Sequence, residues 1–460
     1  MNPPNVIFVF SDQQRYNTMG CTGNSVVKTP ALDRLAAEGM LLEQAFSSCP
    51  ICSPYRAQLM TGRYSHMNGV LDNEYALRRD QTFLAEAFSD AGYRTGYVGK
   101  WHLGYGPYTA EKRVGFDYMA AYNCGHDYFT KEFHENEEGP FKIEKWAPEG
   151  ETDLAIRFME QHLEKNEEMP FFMMLSWGPP HWPYHEYPKE YDIYDPATVD
   201  LPPNVPMQMA AFARRELADY CGNITGLDVQ MGRLLEWLDQ HQLRENTIVC
   251  YTSDHGDHLS SHGYGKPWDN WLHHTKRASK ATPYEESIHV PFIASCPGRI
   301  PAGQKNQTLF SSVDIMPTLL SLAGVPIPAG VQGQDLSHAM LGTDGPEPDS
   351  VYLQLLGPGW PHRGDWVGFW RGLRTERWVY ARWLNTNEKW LFDREADPFE
   401  MRNLVGRPEH AAIEEELELR LQRWLRETDD PFETGSRDPK TGMLELGQTY
   451  IHEKWLEQPS

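Results

Sequence analysis

Three short runs are apolar at nearly every position: residues 6–10, 171–177 and 247–253. They lack the alternation of a strand with one wet face, so they predict strands covered on both faces, as in a parallel sheet. Shorter strands are expected at 93–99 and 290–293. Helical periodicity predicts helices over 29–39, 82–91, 152–165, 210–240 and 314–324, the 210–240 helix carrying a break near Gly222. Residues 105–150 are rich in aromatic, glycine and acidic residues without a period, and predict a surface excursion. From about residue 346 strand-like segments come at 351–355, 366–373 and 377–382. Trp390-Leu391-Phe392-Asp393 follows, then an acidic helix over 409–427 with Pro408 at its start. The expected fold class is α/β: a large mixed, mostly parallel sheet sandwiched by helices over 1–345, and a smaller α+β subdomain over 346–460.

Polar side chains follow each buried run. Asp12 and Gln13 follow the first, His181 the second, and Asp254 and His255 the third. An open α/β sheet gathers the carboxyl ends of its strands in one crevice, so these groups are expected to meet. Asp12, Gln13, Asp254 and His255 would make an oxygen-rich metal site with two negative charges and one imidazole. Such a set suits Ca²⁺ or Mg²⁺ and leaves room for Mn²⁺ or Zn²⁺. Lys100 and His102, two apart on an extended segment, are expected to point the same way. His181 stands between prolines, which presents it rigidly.

The stretch 47–64 is the centre of the chain's chemistry. Cys52-Ser53-Pro54-Tyr55-Arg56 leads into a helix-like run ending at Thr61-Gly62-Arg63. Proline suits the start of a helix, so Cys52 should leave a turn beside unpaired N–H groups and a positive dipole end. Arg56 adds a fixed cation one turn on.

Composition narrows the possibilities. The chain has 460 residues, 40% hydrophobic and 23% charged, enough for one large domain plus a smaller one. A formal charge of −23 excludes a nucleic-acid partner, which needs basic patches. Seven scattered cysteines are not a disulfide framework. No apolar run approaches the ~18–20 residues of a membrane span. No signal peptide is evident, because Met1-Asn2-Pro3-Pro4-Asn5 runs straight into a strand. The location expected is cytoplasmic, or periplasmic or secreted if a leader has been cleaved.

The Cys52-Ser53-Pro54-Tyr55-Arg56 core with Thr61-Gly62-Arg63 resembles the motif of the type I sulfatases of the alkaline phosphatase-like superfamily. Gly99-Lys100-Trp101-His102-Leu103-Gly104, Pro180-His181, Ser253-Asp254-His255-Gly256 and Lys280 before Tyr284-Glu285-Glu286-Ser287 are similar to further elements of that family. So are Asp314-Ile315-Met316-Pro317-Thr318 and the late Leu391-Phe392-Asp393 pattern. Many members have serine at Tyr55, a second aspartate at Gln13 and asparagine at His255. The variants at 13 and 255 resemble a subset of bacterial sulfatases and the phosphonate monoester hydrolases.

The resemblance implies that Cys52 is converted to formylglycine (3-oxoalanine) by a formylglycine-generating enzyme, and that its hydrate attacks sulfur with a divalent metal, Ca²⁺ first. It implies that Arg56 and Lys100 hold the formylglycine, that Lys280 and His181 bind sulfate oxygens, and that His181 protonates the leaving alcohol. His102 then removes the proton that lets sulfate leave. Tyr55 is expected to shape the pocket. The negative net charge opposes a sulfated substrate at long range, so cations at the site must overcome it.

Trp268, Trp271, His273, Lys276 and Arg277, or Trp360, His362 and Arg363, are candidates to line a substrate pocket; aromatic faces with scattered cations suit a small sulfated saccharide cleaved by an exo-acting enzyme. An arylsulfatase or choline-sulfatase, a phosphonate monoester or phosphodiester hydrolase, and a binding protein with a decayed site are the alternatives. The intact Cys52, Arg56, Lys100, His102, His181, Asp254 and Lys280 oppose the last. Oligomeric state has no expectation from the sequence.

Overall fold

The computed structural model describes residues 3–165, 169–263, 280–357, 369–384, 386–439 and 444–447. Asn5–Asp12 is the central strand of a ten-stranded sheet and is buried along its whole length. It pairs in parallel with Phe171–Pro180 on one side and Thr247–Ser253 on the other, Val9 standing opposite both Leu175 and Tyr251. Arg94–Lys100 extends the parallel set beyond Phe171–Pro180. The three mostly apolar runs are thus interior strands, as their pattern predicts. Alternate side chains enter two cores: Val6, Phe8 and Phe10 join one, Ile7 and Val9 the other. Helices Pro30–Ala37, Ala147–Glu164 and Ala210–Gln240 cover the second face; Cys52–Thr61, Leu84–Asp90 and Ile315–Ala323 cover the first.

Two expectations need correction. Residues 105–150 are not a surface excursion: Tyr118–Tyr122, Lys131–Glu135 and Glu138–Ile143 carry the sheet to its far edge. Lys131–Glu135 and Glu138–Ile143 are partly or mostly exposed and so carry few apolar residues, while the buried Tyr118–Tyr122 is only five residues long. The long helix Ala210–Gln240 is also unbroken at Gly222. A Cβ there would lie 2.7 Å from the ring of Tyr187, so close approach selects the glycine. That helix also caps a neighbour. Asp228 accepts the N–H groups of Ala31 and Leu32 at 3.1 and 2.7 Å, while the Thr29 hydroxyl faces Asp33.

A four-stranded antiparallel sheet follows, formed by Val351–Leu355, Trp370–Arg374, Trp378–Trp383 and Lys389–Asp393, with helix Ala411–Glu427 against it. Its residues share cores with the first part of the chain: Leu353 and Trp370 cluster with Phe46, Ile51 and Ile288. Arg371 holds Asp430 by two bonds of 2.7 and 3.0 Å, and Asp430 lies 3.2 Å from His66, so the last segment is tied to the short helix Ser65–Asn68.

Candidate active site

Four parallel strands end on one edge of the sheet, and that edge carries the chemistry. At the central strand the register slips between Phe10 and Asp12, so Asp12 stands beside Pro180. The irregularity re-aims Asp12 out of the ladder. Gln13 follows with φ +73°, and its N–H binds Asp254 Oδ1 at 2.9 Å. Cys52 is the first residue of a helix whose ten residues are all buried, after Ile51 as N-cap. The helix points its positive end at the crevice, as Pro54 and the glycine stop at Gly62 suggest.

Cys52 Sγ is the meeting point. Lys280 Nζ lies 3.2 Å away, His255 Nε2 3.3 Å, Asp12 Oδ1 3.7 Å and Lys100 Nζ 3.8 Å. Arg56, wholly buried, reaches from behind to Asp12 Oδ2 at 3.1 Å, Asp254 Oδ2 at 3.3 Å, Ser176 Oγ at 2.8 Å and the Lys100 carbonyl at 2.5 Å. Lys100 Nζ donates to Asp12 Oδ2 at 2.5 Å. The cations the acidic chain needs are therefore buried side chains rather than a surface patch.

Burial and Asp12 push the Cys52 thiol up, but Lys100, Lys280 and His255 outweigh them and hold it well below the usual range. Burial also opposes the Asp12 carboxylate, yet Lys100, His181, Lys280 and Arg56 keep it well below an ordinary carboxyl. Asp254 goes the other way, to about 6, through burial and the neighbouring Asp12 charge.

Asp12, Cys52, Asp254 and His255 are buried, and one ligand atom from each lies within 4.8 Å of the others. Gln13 adds an amide oxygen. Its Nε2 is held by Asp257 at 2.5 Å, which turns Oε1 to Lys280 at 2.9 Å. Two carboxylates, an imidazole, an amide oxygen and a sulfur position form a set that fits a divalent cation. The orienting Asp257 was not singled out by sequence, although it stands three residues after Asp254. Arg15 is a second such residue, fastening the carbonyls of Asp257 and His258.

The two histidines of the expected mechanism also reach this edge. His102 is buried and faces Cys52 and Cys124, but not because it shares a strand side with Lys100. Its φ is +54°, so the chain turns before it, while the His102 N–H bonds the Asn123 carbonyl at 2.7 Å. Burial opposes its charge, and Cys124 and Cys52 outweigh that, raising it to about 9. His181, partly exposed, bonds the Trp182 carbonyl through Nδ1 at 2.8 Å and stacks on His126 at 4.4 Å. Burial of the ring, Lys280 and His126 lower it well below the usual value. Tyr55 is wholly buried in the core with Leu59 and Met60, so it packs the helix rather than lining a pocket. Trp268, Trp271, His273, Lys276, Arg277, Trp360, His362 and Arg363 lie outside the described residues.

The sheet order, the helix-borne Cys52 and the convergent acids and cations match the alkaline phosphatase-like fold of the sulfatases. The chain belongs to the sulfatase family: the profile of that family, "Sulfatase", matches residues 4–325, and that of "N-sulphoglucosamine sulphohydrolase, C-terminal" matches residues 275–427. Sulfatases are sulfuric ester hydrolases. A similar protein is an ulvan-active sulfatase of Formosa agariphila, 35% identical over 445 residues, 95% of this chain and 83% of that one. A solved sulfatase-fold structure in complex with its substrate D-glucosamine-2-N,6-O-disulfate is similar at TM-score 0.84 and 25% identity, covering 94% of this chain and 100% of the other. A phosphonate monoester hydrolase of Agrobacterium radiobacter shares the fold at TM-score 0.75 and 20% identity, over 96% of this chain and 99% of that one. Among the described residues no helix is long and apolar enough to cross a membrane.

Proposed function

We propose that this protein is an exo-acting carbohydrate sulfatase that removes a sulfate ester from a small sulfated saccharide. The observation that carries the reading is the convergence of Lys280, Lys100, His255 and Asp12 on Cys52 Sγ. The similarity to an ulvan-active sulfatase and to an enzyme bound to a sulfated glucosamine supports a saccharide substrate. We read Cys52 as the precursor of formylglycine, made by a formylglycine-generating enzyme. Asp12, Gln13, Asp254 and His255 would hold the metal, Ca²⁺ first, with Mg²⁺, Mn²⁺ or Zn²⁺ as alternatives.

When bound, the metal would supply Lewis acidity, and the hydrated aldehyde of residue 52 a nucleophilic oxygen. The chain's own residues do the rest. Arg56 fixes Asp12 and Asp254 and offsets their charge. Lys100 and Lys280 place cations on either side of residue 52, where charge builds on sulfate oxygens. His181 stands to protonate the leaving alcohol and His102 to take the proton that releases sulfate. In the substrate-free molecule the surroundings bias the two rings the other way: burial, Lys280 and His126 lower His181, while against burial Cys124 and Cys52 raise His102 to about 9. An anionic sulfate beside His181 raises its proton affinity, and conversion of Cys52 removes the thiol that helps charge His102.

The test is purified enzyme, with the peptide mass across residue 52 measured, against sulfated saccharides, an aryl sulfate, choline sulfate and a phenyl phosphonate ester. Formylglycine lowers that mass by about 18 Da, the difference between a thiol side chain and an aldehyde. Highest kcat/KM on a saccharide with the lowered mass is expected. Preference for the phosphonate or a small ester would overturn the substrate reading, and active enzyme with unmodified cysteine would overturn the nucleophile.

A further inference from the structure

A second group of potential metal ligands lies apart from Cys52, where the C-terminal sheet meets the segments that follow His255 and Lys280. His262, Glu286 and Glu400 each offer one ligand atom, and the three atoms lie within 4.8 Å of one another. His262 comes from the chain after Asp254-His255, Glu286 from the helix Glu285–Ile288, and Glu400 from the turn after strand Lys389–Asp393.

The local bonds leave ligand atoms free. Glu286 Oε1 accepts from Asn204 Nδ2 at 2.6 Å, and Glu400 Oε2 accepts from the Glu285 N–H at 3.0 Å. The remaining oxygens, Glu286 Oε2 and Glu400 Oε1, are shielded from solvent and have no hydrogen-bond partner among the described residues. Glu400 is only 2% exposed, so its unpartnered oxygen carries a desolvation cost that a ligand would remove. His262 Nε2 faces the same point, 3.6 Å from Glu286 Oε2 and 3.1 Å from Asn204 Nδ2. Tyr284 stacks on the imidazole at 3.8 Å and 10°, fixing its plane.

The nearby arginines bond Glu285 more closely than they approach the ligand oxygens, the nearest approach being Arg394 Nε to Glu400 Oε1. Arg374 Nε and Arg394 Nη2 lie 2.5 and 3.3 Å from Glu285, while Arg394 Nε stays 3.9 Å from Glu400. An open cavity of about 490 Å³, lined by Asn204, His262, Tyr284, Trp390 and Glu400 among others, gives an ion and its waters a way in.

We propose that His262, Glu286 and Glu400 form a second divalent-cation site, selective for Zn²⁺ over Ca²⁺, that pins the C-terminal sheet to the segments bearing His255 and Lys280. One imidazole with two carboxylates, and room for water in the fourth position, matches zinc's ligand preferences. Calcium, which takes six to eight oxygens, is poorly served.

The test uses the full chain, freed of metal with a chelator and titrated with ZnCl₂ alone. Zinc stoichiometry is read by elemental analysis and affinity by calorimetry. Wild type and Asp254→Asn should each bind a zinc that His262→Gln and Glu400→Gln bind at least tenfold more weakly, and zinc should raise the melting temperature of wild type by more than that of His262→Gln or Glu400→Gln. Co²⁺ in place of zinc should give visible absorption that is lost in His262→Gln. If Glu400→Gln does not fold, Glu286→Gln takes its place. Absence of zinc binding by wild type would overturn the site. So would unchanged affinity in the His262 and Glu286 variants, or binding lost only in Asp254→Asn. Because the readouts are binding and stability, they are independent of whether the sulfated saccharide is the substrate.

Discussion

Lys280 Nζ stands 3.2 Å from Cys52 Sγ and 2.9 Å from Gln13 Oε1, so one ammonium touches both the nucleophile position and an amide of the metal-ligand set. Lys280→Ala removes a fixed cation where sulfate charge develops. We expect kcat to fall roughly 10²–10³-fold, the scale for losing one preorganised electrostatic contact. Circular dichroism should show a folded protein. A fall confined to KM would show that Lys280 only binds substrate.

Arg56 is expected to matter for folding as much as for turnover. Its guanidinium serves four acceptors, one from each of four strands or their ends, from a fully buried position, with the Phe10 ring 4.9 Å from its carbon. Lysine carries the charge but cannot fork between Asp12 and Asp254. Arg56→Lys should cost about 3 kcal/mol in denaturant unfolding, the scale of a broken buried ion network. A cost near zero would mean that water fills the gap.

Gly99 has φ +106°, and a Cβ there would come 2.0 Å from the Ser176 carbonyl oxygen. Ser176 Oγ in turn takes a bond from Arg56, and Lys100 is the next residue. Gly99→Ala should therefore destabilise the protein by roughly 3 kcal/mol or more through strain and strand separation. A thermal melt within a degree or two of wild type would refute this.

Glu151 titrates across the neutral range. Burial pushes its carboxyl up to about 8 against the opposing pull of Lys131 and Tyr122. The folded state thus holds a proton that the unfolded chain releases near its ordinary pKa of about 4.3. Its contribution to stability is full below that value and is lost as pH rises toward 8, at up to about 1.4 kcal/mol per pH unit. Glu151→Gln stays neutral, so its stability should fall less over pH 5–8 when unfolding is measured at several pH values. Parallel curves for the two proteins would exclude Glu151 as the source.

Local sequence determined a good deal here. The apolar runs 6–10, 171–175 and 248–251 identify interior strands because a strand buried on both faces favours that pattern. Cys52 at a helix start follows from Pro54 and Gly62. The clustering of Asp12, Asp254 and Lys100 follows from parallel pairing, which brings strand ends together. Asp257, Arg15 and His126 were invisible because their roles are orientation and stacking, set by partners distant in sequence. Of the strands over 118–143, Lys131–Glu135 and Glu138–Ile143 were hidden because contact with solvent removes the apolar signal, and Tyr118–Tyr122 because it is short.

Only the tertiary structure decided three further points. Tyr55 lies in the core because the whole Cys52–Thr61 helix is submerged, which no periodicity of its own announces. The helix Ala210–Gln240 runs straight through Gly222 because Tyr187 occupies the space of a side chain, a packing constraint from 35 residues away. His262, Glu286 and Glu400 converge although they come from three separate segments. Propensity and pattern act over a few residues, whereas close approach and ligand geometry are set by which distant segments meet.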